Sequence, residues 1–102
     1  MTSTTEKAAI AATLTTGDLL ARVRAVAKRE IGDPLNIPND CISLREQFGI
    51  TIETNFTSVF AFNDAGVCAA IPIGETFGLQ HQGRRAACVA IASMWTPDME
   101  IK

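Results

Sequence analysis

The sequence has one histidine, three cysteines without a CxxC pair, and no apolar run approaching the length of a membrane span. Each lack removes a class of function. Cys68, His81 and Cys88, taken with Cys41, do not follow the ligand spacing of a zinc site. A nucleophile–base pair drawn from Cys68, His81 and Cys88 has neither an elbow nor a helix-start setting to activate it. An odd cysteine count argues against a disulfide framework and for free, buried thiols in a reducing cytoplasm. The stretch "GETFG" lacks the lysine and the Ser/Thr of a phosphate loop. The first residues lack a basic region followed by an apolar core, so they do not read as a secretory signal. The expectation is a small acidic protein without catalysis, cofactor or metal.

The chain has 102 residues, 47% of them hydrophobic and 20% charged, enough for one compact domain that folds without staples. Its formal charge is −2, against a task of gripping phosphate backbones. That charge is unevenly placed. Residues 1–31 carry a net of +2 and residues 32–102 a net of −4. A basic face on an acidic body can orient a partner; equally, these are two solvated surfaces of opposite sign.

Residues 1–15 are rich in threonine and alanine and read as an N-terminal arm, or as a short helix over Glu6 to Leu14; residues 16–102 form the single domain. In "TTGDLLARVRAVAKREIGDP", Leu19, Leu20, Val23, Val26, Ala27 and Ile31 recur at helical spacing. Thr15 or Thr16 can cap that helix, Lys28 and Arg29 suit its last turn, and Gly32 and Pro34 end it. "DCISLREQFG" is a second helix, with Asn39 or Asp40 as cap, Gly49 at its end, and Ile42, Leu44 and Phe48 as contacts. From Ile50 the period changes to two. "ITIETNF", "TSVFAF" and "VCAAIPI" read as three antiparallel strands, with Ile50, Ile52 and Phe56 inward on the first and the turn signal "NDAG" between the last two. Pro72 suits an edge strand or the end of pairing. "GETFGLQHQG" reads as a loop and "RRAACVAIASMW" as the last helix, with Ile91 and Trp95 in the core. The order α-α-β-β-β-α predicts a two-layer α+β fold: a three-stranded antiparallel meander with helices packed on one face.

Two features bear on partners. The last helix is apolar nearly all round, so it needs cover on two sides, from the N-terminal arm, a second copy in a homodimer, or another protein. Arg22, Arg24, Lys28 and Arg29 crowd one face of the first helix, and Arg84 and Arg85 open the last one. Arginines beside helix-start N–H groups can hold a phosphate or carboxylate, or pair with Glu75 or Asp98. These six residues are the candidate partner-binding set.

The stretch from "LREQFG" to "SMW" resembles a double-stranded RNA-binding domain: helix, three strands, and an alanine-rich helix opened by two basic residues. That resemblance implies phosphate contact at Arg84 and Arg85. The hairpin "FAFNDAGVCAA" followed by "RRAACVAIASMW" is similar to small phage accessory proteins, anti-CRISPR inhibitors among them. This second resemblance implies a cytoplasmic, non-catalytic inhibitor that covers a surface on a host nucleoprotein complex. The acidic balance puts the protein partner first and direct nucleic-acid binding second.

Overall fold

The computed structural model describes residues 4–73 and 79–99. It is an α+β fold: helices α1 (Thr4–Ala12), α2 (Thr16–Ala27) and α3 (Pro38–Phe48), strands β1 (Thr51–Thr54), β2 (Ser58–Phe62) and β3 (Cys68–Pro72), and helix α4 (Leu79–Ala92). The sheet is antiparallel in the order β1-β2-β3. The expected order is present, with α1 in front of it.

Helix α4 is the centre of the molecule. It touches all three strands on one side and α1, α2 and α3 elsewhere, while α2 and α3 pack chiefly on α4. Residues 86–93 of this one chain are all buried. That burial is why the helix is apolar all round: sheet and helices cover it from opposite sides. The surface expected to join a homodimer through this helix is therefore already filled by the chain itself. Ala86, Ala87, Ala90 and Ala92 keep the girth of α4 small enough for both layers to close on it.

Pairing places Ile52 opposite Ala61 and Thr54 opposite Val59, then Val59 opposite Ile71 and Ala61 opposite Ala69. This parity is the inner face, and its Val59, Ala61 and Ala69 are buried under α4 and α1. The turn after β2 forms as its sequence predicts. Asn63 Oδ1 accepts from the N–H groups of Ala65 and Val67, and Gly66 takes φ +92. Asn63 Nδ2 also donates to the carbonyl of Phe48, at 3.0 Å, tying this turn to the end of α3.

Several local expectations are corrected. Helix α2 starts as read, with the Thr15 hydroxyl accepting from the Asp18 N–H, but ends at Ala27, a turn early. Lys28 adopts φ 60 there and donates its N–H to the Arg24 carbonyl, so Lys28 and Arg29 lie beyond the last turn. The Gln47 side chain takes over the Ala27 carbonyl at 3.1 Å. Ile31 still reaches the core, from the loop. Helix α3 starts at Pro38 with Ile37 as cap residue and no side-chain capping bond; proline suits that first position because it has no N–H to orphan. Ile42 is exposed and Cys41 takes the buried place, because the face of α3 toward α4 runs through Cys41 and Leu44. Phe56 is fully exposed in the β1–β2 turn, where Asn55 Oδ1 holds the N–H groups of Thr57 and Ser58. Trp95 lies past the end of α4, only partly buried, under the guanidinium of Arg22 at 4.2 Å from its ring centre. Helix α4 itself begins at Leu79, so "HQGRR" is helix rather than loop.

The α2–α3 loop is fixed by one carboxylate. Asp40 Oδ2 accepts from the Asp33 N–H at 2.9 Å, directly over Gly32 at φ +66. A Cβ on residue 32 would collide with that carboxylate, in a backbone conformation costly to any L side chain. Gly32→Ala is expected to lower stability by about 1–3 kcal/mol, measured as a drop in the urea midpoint. An unchanged midpoint would mean that the loop swings clear of Asp40.

Candidate functional site

The six candidate residues do not form one patch. Arg22, Arg29, Arg84 and Arg85 contact other parts of the chain. Arg22 stacks on Trp95 and so joins α2 to the end of α4. Arg29 donates from Nε to Gln47 Oε1 at 2.7 Å and from its terminal nitrogens to the Ser43 hydroxyl and the Glu30 carbonyl. Arg84 Nε donates to the Leu35 carbonyl at 2.7 Å, and Arg85 to the Ala12 carbonyl at 3.1 Å. Ala12 is the last residue of α1, so Arg85 closes an open carbonyl where the helix dipole favours a cation.

These partners change the reading of Arg84 and Arg85. They sit in the second turn of α4, not at its start, partly buried and turned toward backbone carbonyls of the same chain. The anion cradle expected from helix-start N–H groups does not form around them. Of the two acids offered as alternative partners, Glu75 lies outside the described residues, and Asp98 accepts from the Thr96 hydroxyl.

The histidine is also kept apart from Cys88 and Cys68. Cys88 follows His81 by seven residues on α4, about 10 Å along the axis. Cys68 lies on the outer face of the sheet, away from α4. Burial pushes the Cys88 thiol up to about 12, with Cys41 nearby adding to the rise. Burial also raises Cys41, against the pull of Arg45 and Arg84. Buried thiols held protonated are poor nucleophiles and poor metal ligands. Among the described residues no three His, Cys, Asp or Glu side chains gather as a metal site would need.

One concave feature collects charged groups. A groove of about 620 Å³ lies between the C-terminal end of α2 and the segment after α4. Arg24, Ala25, Lys28, Arg29 and Glu30 line it from the end of α2, and Asp98 and Met99 from the segment after α4. The early end of α2 builds it: the left-handed turn at Lys28 directs the chain away and leaves three cations at the negative end of the helix dipole. Arg29 is held by three hydrogen bonds, so its guanidinium is fixed before anything binds. The Thr96 hydroxyl, by donating to Asp98, holds that carboxyl below the usual carboxylate range. Three cations with two carboxylates in one groove suit an acidic or mixed-charge polypeptide segment; a phosphate backbone needs a longer run of uncompensated cations.

Sequence reading named Arg24, Lys28 and Arg29 and missed Asp98 and Met99, which come to the groove from the far end of the chain. It missed Gln47 and Ser43 as the groups that hold Arg29. A glutamine and a serine four apart on the exposed side of α3 carry no signal of that role.

Among described residues no helix is long and apolar enough to cross a membrane. In comparisons with known proteins, the chain matches no family model, no curated protein and no solved structure.

Proposed function

We propose that this chain is a non-catalytic protein-binding module that holds an acidic or mixed-charge segment of its partner in the groove at the end of α2. The observation that carries this reading is the convergence of Arg24, Lys28 and the braced Arg29 on one concave surface. Charge of that kind sets orientation and association rate more than affinity. The likeness of the hairpin and last helix to small phage accessory proteins extends the reading to a cytoplasmic, surface-blocking inhibitor of a CRISPR-type host complex. That extension rests on the likeness alone.

The test is affinity capture from a bacterial lysate on the intact chain and on the Arg24→Glu, Lys28→Glu double variant, run beside binding to a mixed pool of duplex RNA and DNA. A protein retained by the first and lost by the second is the expected result, with the fold intact, since each reversal at a helix end costs about 0.3–1 kcal/mol. Duplex binding is expected no tighter than the ~10⁻⁴ to 10⁻⁶ M of non-specific contact. Submicromolar duplex binding at physiological salt that falls steeply as salt rises would replace this reading with a nucleic-acid-binding one.

A further inference from the structure

The sheet has a second, largely exposed face, on which an apolar patch stands beside the polar Thr51, Glu53 and Ser58. Opposite in parity to the buried set stand Phe60 and Phe62 on β2 and Cys68 and Ala70 on β3, with Phe60 paired to Ala70 and Phe62 to Cys68. Cys68 and Ala70 are exposed, and Phe60 and Phe62 are partly so, outside the set packed on the core. Glu53 on β1 lies opposite Phe60 on this face, and Asp64 stands in the turn beyond Phe62; both are exposed. Residues 46–83 contain no lysine or arginine at all.

We infer that this face docks a short basic amphipathic segment of a partner protein. Its size selects the form of the occupant. Three strands of four or five residues span about 14 by 16 Å, roughly 230 Å². A stable pair of globular proteins buries about 800 Å² on each side, so a second copy laid sheet to sheet would be held too weakly. One helix about 10 Å wide and eleven residues long covers the face. Its charge selects the chemistry. Aromatic rings offer their faces to Arg or Lys, and Glu53 and Asp64 place carboxylates where such cations would sit at the rim. A nucleic acid also stacks on aromatic rings, but it needs cations along its backbone, and the sheet supplies carboxylates instead. This surface is separate from the groove at α2 and opposite to it in sign.

Cys68 lies on the face and is exposed, while Cys41 and Cys88 are buried, so native alkylation of one thiol reports whether the face is covered. The probe is a synthetic eleven-residue Leu/Lys amphipathic helix, with its Leu/Glu counterpart and a single-stranded RNA as competitors. At nine-tenths occupancy by the basic peptide, Cys68 alkylation slows about tenfold. Glu53→Lys and Ala70→Lys, both at exposed positions, weaken that protection about three- to tenfold. Equal protection by the acidic peptide, protection by RNA, protection that rises with protein concentration alone, or none from the basic peptide at saturating concentration would each overturn the proposal. Amide shifts at Phe60 and Phe62 give a second readout on the unmodified chain: movement there under the basic peptide supports docking, and movement only at α2 overturns it.

Discussion

Ile91→Ala is expected to destabilise the protein by about 2–5 kcal/mol, toward the upper end, because Ile91 sits where relaxation is hardest. It is fully buried on the helix that the sheet covers from one side and α2 from the other. Many of the buried residues of the core are alanine, short side chains that cannot swing into a void. In a domain of this size each kcal/mol moves the melting temperature by about 4–8 °C. A fall of at least ~10 °C is therefore expected by calorimetry, and the loss is a large part of the ~5–15 kcal/mol that usually separates folded from unfolded chains. Ile91→Val, which removes one methyl group, should cost only about 0.5–1.5 kcal/mol. If the alanine variant melts with the parent, α4 is not the centre of the fold.

That centre was legible because periodicity reports burial. A run without a polar stripe has to be covered on both sides, and "RRAACVAIASMW" showed this before any coordinates. The N-terminal arm, offered as cover, supplies part of it as α1. The share of α2 and α3 was not legible, because no local pattern states that they return to α4. The same limit explains the start of α4. Gly83, adding about 1 kcal/mol of helix cost relative to alanine, and two adjacent arginines made "HQGRR" look like a connection. In the fold Gly83 lies against Ile52, and the arginines find carbonyls 49 and 73 residues away. Local propensity was overruled by partners that local sequence cannot show.

The strands show a related limit. Alternation identified "TSVFAF" and "VCAAIPI", but both parities of each are largely apolar, so alternation could not say which face is inside. The register settles it: the small and β-branched Val59 and Ala61 go under α4, and Phe60 and Phe62 go outward. A close-packed helix with an alanine surface leaves room for alanine and valine and none for two phenylalanines. The basic residues divide in the same way. Their clustering on α2 was visible, but which of them would be turned to internal carbonyls, a ring or a groove depended on contacts made across the chain. Arg24 and Lys28 line the groove in part because the helix ends early, and that ending lies in the left-handed backbone of Lys28, a residue type with no special preference for it.

The second large effect is expected in alkali, at Cys88. In the unfolded chain this thiol ionises near 9.0, and in the folded protein burial first, then the neighbouring Cys41, pushes it up to about 12. Below pH 9 both states keep the proton and the thiol contributes nothing to the pH dependence. Between 9 and 12 the unfolded chain has released the proton and the folded chain has not, so unfolding releases a proton and stability falls as pH rises. One proton corresponds to about 1.4 kcal/mol per pH unit, which accumulates to roughly 4 kcal/mol by the top of that window. Cys41 is shifted in the same direction and steepens the loss. Cys88→Ala separates this thiol from every other group that titrates in alkali. Emptying one sulfur's volume should lower stability by about 1 kcal/mol at all pH values. The decline above pH 9 should then be shallower than the parent's by up to about 1.4 kcal/mol per unit, so that the variant becomes the more stable protein at high pH. Urea unfolding of both proteins from neutral pH to about pH 11 measures the two slopes. Parallel curves would show that Cys88 opens to water at little cost, and that α4 is less tightly enclosed than its burial indicates.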